Sequence, residues 1–374
     1  MSDQTRIFLY GTLLDPALYE IVGGVPLSGV QGRLEGHTVH WARDLSFPLI
    51  LAQDGEHAEG AIVTVTEEVR ARLDFYELGF GYTLAPRDVE TPQGKVSALV
   101  YFPEPDRWPL GPVWSLADWQ DIYGPRTRIA ATDYMRLFGT RTPEEAAWSF
   151  DQIVARAASR LRAESAPSVE MPGFDRMPAP QVVETRHPYT QYFGLREDDL
   201  AVPTFGGGMG EVVTRASWLG ADAVTVLPYD PATDNVLVVR QFRHGAFARG
   251  DTNPWCLEPV AGRIDPGEGP EEAARREMVE EAGLTATKII RVAGYYPTPG
   301  AFSEHLTSFI AIADLTGRDG IVGGLEDEAE DIMSHVLSLD EALGMIETGV
   351  VNTGPLALSL LWLKMHKARL HASD

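Results

Sequence analysis

The sequence predicts a two-module α+β protein with mixed sheets, and three observations carry that prediction. At 374 residues the chain is longer than one compact domain usually is. Its first third reads as short strands separated by Gly, Pro and Asp, with few helices. The stretch ESAPSVEMPGFDRMPAP (164–180) then interrupts all periodicity with Pro, Ser and charge, as a linker does. No internal repeat relates the halves, so the modules differ. The divisions predicted are 1–125, a helical extension over 126–163, the linker 164–180, and 181–374.

Taken in order, RIFLYGTL is an opening strand, GAIVTVT a second and KVSALVYF a third, with a helix at TEEVRARLDFYE. Thr142, Pro143 and Glu145 supply a cap, a first-turn proline and a capping-box partner. They predict a single helix carrying Trp148, Ile153, Val154, Ala157 and Leu161. Beyond the linker, ADAVTVLPYD and NVLVVRQFR form a hairpin around PATDN, and HLTSFIAIADL is a further strand. Ser338 and Glu341 cap a helix, and PLALSLLWLKMHKARL is expected to close the chain as an amphipathic helix.

Composition excludes some functions. With 54 acidic against 31 basic residues the formal net charge is −23. Such a chain lacks the clustered cations that nucleic acid or an anionic membrane requires, so neither is an expected partner. Cys256 is the only cysteine, and its apolar setting in WCLEPVAG suggests buried packing. No signal-peptide pattern opens the chain, and no apolar run reaches the ~20 residues of a membrane helix. A cytoplasmic location is the expectation.

The stretch GRIDPGEGPEEAARREMVEEAGL (262–284) concentrates six glutamates and Asp265 on a turn and a helix. Pro270 suits the first helical position and Gly283 the residue past the end, which puts a helix over about 270–282. Glu277, Glu280 and Glu281 then share a face, and Arg276 precedes Glu280 by one turn. Like charges so placed repel by a few tenths of a kcal/mol per pair. An acidic face exposed to solvent is one reading; a site for a hard divalent cation such as Mg2+ (or Mn2+) is the other. Gly262, Glu268, Arg276-Glu277, Glu280-Glu281 and Gly283 occupy every specified position of the Nudix box. The C-terminal module therefore resembles Nudix hydrolases, and the resemblance implies an α/β/α sandwich whose box glutamates hold metal.

Flanking residues resemble the ADP-ribose pyrophosphatase branch of that family: TPGAFSEH with Pro299 and Glu304, and VVRQFRHGAF followed by PWCLEPVAG. The resemblance implies Arg243 and Glu304 as substrate-binding residues. It implies Ala261 (through its carbonyl), Glu277, Glu280, Glu281 and Glu330 as metal ligands. In GGLEDEAEDI it implies Glu328 as the base for the attacking water; Glu326 and Asp327 leave that register open by a residue or two. The reaction implied is ADP-ribose plus water giving AMP and ribose 5-phosphate, in a homodimer. The branch often carries an arginine where this chain reads WLGADAV, which leaves another nucleoside diphosphate sugar open as substrate. A non-catalytic ADP-ribose sensor is the alternative of another class.

In the first module, FLYGTLLDP, Gly60 in HAEGAIVTVT, and Glu77 in LDFYELGFGY follow the order and spacing of the γ-glutamylcyclotransferase-like fold, which they resemble. That resemblance implies a small mixed β-barrel in which Tyr10, Gly11, Thr12 and Leu13 offer backbone N–H groups to a γ-glutamyl carboxylate. Glu77 would carry the proton between amines. A binding module that kept the fold without the activity is the alternative.

Overall fold

The computed structural model describes residues 4–167, 177–324 and 330–371. The chain forms two compact units, Met1–Ser168 with Thr190–Tyr192, and Val169–Tyr189 with Phe193–Asp374.

The first unit contains β1 (Thr5–Leu9), α1 (Pro16–Gly23), β2 (Gly29–Ala42), β3 (Pro48–Val65), α2 (Glu67–Leu78), β4 (Tyr82–Thr91), β5 (Gly94–Pro103) and β6 (Leu110–Val113). Four helices follow: α3 (Leu116–Ile122), α4 (Gly124–Met135), α5 (Pro143–Ala147) and α6 (Phe150–Ser165). The sheet order β3-β1-β5-β4-β2, with β2 pairing back onto β3, closes a five-stranded barrel with β6 outside β2. β1 runs parallel to β5 and antiparallel to β3, so the barrel is mixed, as the resemblance implied. Alternation along β1 divides the two cores. Phe8 and Tyr10 face a cluster with Leu34, Ile50 and Val100, while Ile7 and Leu9 face the helices with Leu18, Leu73 and Tyr134. Thr66 caps α2 by accepting from the Val69 N–H.

The helix predicted after Thr142 is broken in two. The Thr142–Glu145 capping box is present, but α5 stops at Ala147 and α6 restarts at Phe150. Ser149 Oγ donates to the Ala146 carbonyl, competing with the helical ladder, and Trp148, 72% exposed, does not join the core.

The second unit opens with a three-stranded sheet that the sequence reading did not anticipate: β7 (Gln181–Thr190), β8 (Gly194–Ala201) and β9 (Val213–Leu219). Next come β10 (Ala223–Asp230), β11 (Asn235–Phe242), α7 (His244–Arg249), β12 (Trp255–Glu258), β13 (Val260–Arg263), α8 (Pro270–Ala282), β14 (Lys288–Tyr295) and β15 (Leu306–Ile312). The last elements are β16 (Val322–Gly323), β17 (Ile332–Ser338), α9 (Leu339–Glu347) and α10 (Gly354–His371). The main sheet runs β14-β15-β10-β11-β17-β16, with β13 beside β10 and β12 beside β11. β10 is parallel to β15 and antiparallel to β11, giving a mixed sheet. Val224 and Val226 of β10 pack under α8, whereas Leu227 and Tyr229 pack under α9 and α10, which makes the α/β/α sandwich.

α8 takes the predicted limits: Pro270 begins it and Gly283, at φ 59°, ends it in the left-handed region. Its Ala273, Ala274, Met278 and Ala282 are buried against the sheet, Met278 alone contributing roughly 2 kcal/mol. α10 departs from an amphipathic pattern. Leu356, Leu360 and Leu363 are buried, but Leu361 and Met365 are exposed, because apolar residues recur more often than one face can hold. Cys256 is buried and unbridged. Among the described residues no helix is long and apolar enough to cross a membrane.

Two candidate active sites

In the first unit a cavity of about 520 Å³ opens beside the end of β1. Tyr10, Gly11, Thr12, Leu13 and Glu77, all singled out in the sequence, line it together. β1 ends at Leu9, and Thr12–Leu14 make one 3-10 turn whose leading N–H groups have no intrahelical acceptor. A side chain at Gly11 would put its Cβ 2.6 Å from Pro48 Cγ, so only glycine lets the turn lie against β3. Tyr10 is committed to the scaffold, its hydroxyl donating to the Tyr101 carbonyl at 2.7 Å. The turn is held from behind by Asp15, which caps α1 by accepting from Leu18 N–H at 2.8 Å. Asp15 is clamped in turn by Arg128 (2.7 and 3.0 Å) and Gln120 (2.8 Å).

Glu77 reaches the cavity from the last turn of α2. Burial pushes its carboxyl up to about 7. Burial first, and Glu77 second, keeps the phenols of Tyr76 and Tyr82 protonated. A carboxyl poised near neutrality beside backbone donors is suited to take a proton and return it. The sequence reading missed Tyr82, Tyr101, Arg107 and Arg126, which complete the wall. No local spacing marks them; they arrive from β4, β5, the turn after β5 and α4.

In the second unit the box residues meet where α8 crosses β13. Glu277 and Glu281 are 9% and 2% exposed. Glu281 Oε accepts from the Ala261 N–H at 3.0 Å. The Glu277 carboxylate lies over Gly262, where an added Cβ would come 1.8 Å from Oε1. Burial, with a smaller contribution from the charge of Glu330, pushes Glu277 up to about 7 and Glu281 up to about 8. Gly323 lies against the Glu281 carbonyl and Gly324 against Glu330, which brings that side chain to the same end of α8.

Arg276 is the hub. It grips Glu268 with two bonds of 3.0 and 3.1 Å, reaches Glu277 at 2.7 Å and Glu280 at 2.9 Å, and donates to the Arg263 carbonyl at 3.0 Å. Beside this cluster Arg243 donates to Glu258 at 2.6 Å and acts electrostatically on Glu281 and Glu304. Burial, then Asp222, pushes Glu304 up to about 7. Ala261, Glu277, Glu280, Glu281, Glu330, Arg243 and Glu304 thus share one patch, whereas Glu328 lies outside the described residues. Glu258 was missed because its meeting with Arg243 follows from the pairing of β11 with β12, in which it stands opposite Val239, and from no local spacing.

Among the described residues no three acidic, His or Cys side chains stand together closely enough to hold a metal ion; Arg276 draws Glu277 and Glu280 instead. The donor set still fits a hard divalent cation. Glu277 and Glu281 share one face of α8, Glu330 acts on both through its charge, and all three offer only oxygen ligands.

Comparison with known proteins gives the class of each unit. The NUDIX domain model matches residues 220–356, and a model of the γ-glutamyl cyclotransferase, AIG2-like domain matches residues 7–121. An ADP-ribose pyrophosphatase of Escherichia coli (strain K12) is 36% identical over 182 residues, covering 49% of this chain and 86% of the relative. One from Haemophilus influenzae is 34% identical over 187 residues (50% and 86%). A GDP-mannose pyrophosphatase of Escherichia coli O1:K1 is 32% identical over 158 residues (42% and 81%). The chain belongs to the Nudix family, and its C-terminal unit is a pyrophosphohydrolase.

Proposed function

We propose that the second unit hydrolyses the pyrophosphate of ADP-ribose to AMP and ribose 5-phosphate, using a divalent cation, Mg2+ or Mn2+. The observation that carries this reading is the buried Glu277–Glu281 pair facing Glu330, with Arg243 and Glu304 alongside. The named activity of the 36%- and 34%-identical relatives supports ADP-ribose. Glu277, Glu280, Glu281, Glu330 and the Ala261 carbonyl would hold the cation, which when bound neutralises the non-bridging phosphate oxygens and lowers the pKa of water. Arg276 keeps Glu268, Glu277 and Glu280 aligned before it arrives. Arg243 would pair with a phosphate oxygen and Glu304 would accept from a ribose hydroxyl. In the reaction a water oxygen forms the new bond to phosphorus, the bridging P–O bond breaks, and the water proton passes to Glu328 in this assignment. The GDP-mannose pyrophosphatase at 32% identity keeps another nucleotide sugar as the second reading.

Incubation with ADP-ribose and Mg2+, following AMP beside a Glu281→Gln control, tests the proposal. AMP from the wild type that collapses in the variant supports it; inactivity on ADP-ribose with turnover of GDP-mannose moves the substrate. A homodimer belongs to this reading, with the apolar Phe205 (98% exposed) and Val212 available to a second copy; light scattering checks the mass.

We infer that the first unit is a γ-glutamyl cyclotransferase. The α-amine of the substrate attacks its own γ-carbonyl, the C–N bond to the leaving amine breaks, and Glu77 carries the proton from one nitrogen to the other, releasing 5-oxoproline. Its carboxyl at about 7, beside the turn at Gly11, supports this. Release of 5-oxoproline from a γ-glutamyl compound is the test.

A further inference from the structure

Arg243 follows β11 with its backbone still extended (φ −122°, ψ 115°), and its N–H donates to the Pro254 carbonyl at 2.9 Å. Alternation therefore puts Arg243, Gln241 and Val239 on one face. Glu258 stands opposite Val239 on β12, four residues back from Arg243. The Arg243 side chain meets it by running along that face past Gln241, and its Nε–H donates to Glu258 Oε2 at 2.6 Å.

This pair differs from an ordinary surface ion pair. The Glu258 side chain is only 17% exposed, and burial raises its pKa, so its charge is held there against the cost of desolvation. Gln241, itself buried, lies near enough to favour the charged form of Glu258, and its Nε2 makes no hydrogen bond among the described residues. The bond to Glu258 uses only Nε; among the described residues neither Nη of Arg243 makes a hydrogen bond. A carboxylate this close to a phosphate-binding arginine also repels the phosphate, so it weakens the attraction that arginine supplies.

What Glu258 offers in return is orientation. The charge of Arg243 acts on Glu281 and on Glu304, and pairing with either would turn the guanidinium away from a phosphate. Arg276 shows that an arginine with box glutamates in reach bonds to them, as it does to Glu277 and Glu280. The flexible side chain at position 243 would do the same unless another acceptor held it.

We propose that Glu258 is a positioning residue of the pyrophosphohydrolase site: by holding Nε it fixes the plane of the Arg243 guanidinium, keeps it off Glu281 and Glu304, and leaves both Nη groups for the substrate phosphate. This rests on reading Arg243 as the phosphate-binding residue. Glu258 itself touches neither the substrate nor the reacting atoms. Charge alone attracts the phosphate, but alignment is what the transition state requires, so the effect falls on kcat.

The test measures kcat and KM for ADP-ribose with Mg2+ in the wild type, three Glu258 variants and Arg243→Met. Glu258→Leu should lower kcat about 10- to 100-fold with KM within about threefold of wild type, because the attracting charge stays and its alignment is lost. Glu258→Gln keeps an acceptor oxygen at the same reach and should come within about threefold of wild type. Glu258→Asp keeps the charge but is one methylene short, and should behave as the leucine variant does. Added to Arg243→Met, Glu258→Leu should cost less than about threefold, since it acts only through that arginine.

Equal losses from Glu258→Leu in both backgrounds overturn the proposal, as do an unchanged kcat or an aspartate variant more active than the glutamine one. If thermal melts show that the leucine variant does not fold, the order of glutamine and aspartate decides alone. A wild type that turns over GDP-mannose and not ADP-ribose changes the substrate, and the same ratios on GDP-mannose decide. A wild type inactive on both overturns the positioning role together with the reading it rests on.

Discussion

The two sites handle carboxylates in opposite ways. Around Glu77 the protein removes the charge: the carboxyl sits among phenols with no ion pair to hold it ionised, and burial raises it to about 7. Around α8 the protein accumulates carboxylates: Glu268, Glu277, Glu280, Glu281 and Glu330 are gathered, and one arginine holds three of them. A lone desolvated carboxyl is a proton carrier, whereas a crowded set is a cation site whose compensation must come partly from outside. Burial is shared by both, so burial alone does not define either chemistry. The number of carboxylates and the position of the nearest arginine do.

Glu77→Gln should give the largest effect, because an amide cannot carry the proton. The rate of 5-oxoproline release is expected to fall about 10²- to 10⁴-fold while AMP production from ADP-ribose persists. Loss of both activities would show that the sites do not divide by unit.

Glu281→Gln should lower AMP production by at least ~100-fold, the upper end of what losing a partner of a metal ligand costs. Removing divalent cation with a chelator should have the same effect on wild type and leave 5-oxoproline release intact. A chelator that abolished both reactions would break the contrast between an imported charge and a suppressed one.

Arg276→Met leaves Glu268, Glu277 and Glu280 without their shared cation. Partial exposure of the group reduces the cost to about 1–3 kcal/mol, read as a lower melting temperature of the second unit. Added Mg2+ should raise the melting temperature of this variant more than that of wild type, because it replaces the missing charge.

The pH response should carry a contribution from the first unit. Glu77 has its folded pKa raised from 4.5 to about 7, so the folded state keeps a proton that the unfolded state has released. Stability therefore falls as pH rises from about 4.5 to 7, by on the order of 1–3 kcal/mol, and the loss is complete above 7. Cyclotransferase turnover should rise over the upper part of the same window, since the proton acceptor is the carboxylate. Urea melts of wild type and Glu77→Gln between pH 5 and 8 check the sign: the variant should lose the part of the slope that Glu77 contributes and keep the part from Glu277, Glu281 and Glu304.

The smallest effects belong to the two glycines. Gly262→Ala should displace the Glu277 carboxylate and cost the pyrophosphohydrolase about tenfold, while Gly11→Ala pushes on Pro48 and should affect only 5-oxoproline release. Measuring both activities in both variants shows whether each glycine serves its own site.

Local chemistry made much of this legible. Pro270 and Gly283 delimit α8, Thr66 and Ser338 begin their helices, and the spacing of Glu277, Glu280 and Glu281 follows from 3.6 residues per turn. All of these depend on contacts within a few residues, which a sequence states directly. The Trp148 helix was misread because the Ser149–Ala146 bond, local but weak, won where no tertiary packing held Trp148. The sheet over 181–219 was not seen, because its strands mix polar and apolar residues on both faces and its pairing is a matter of register.

The sequence by itself determined two modules, the Nudix-box helix, and the candidates Tyr10, Gly11, Glu77, Glu277 and Glu281. The tertiary structure decided which distant residues serve them: Arg243 beside Glu281 and Glu304, Glu258 beside Arg243, and Arg126 and Arg128 from α4 around the turn at Gly11. Spacing along a chain fixes neighbours only within a turn or a strand. A burial-dependent pKa or the partner of an arginine depends on everything packed around it, and those neighbours exist only once the barrel and the sandwich have closed.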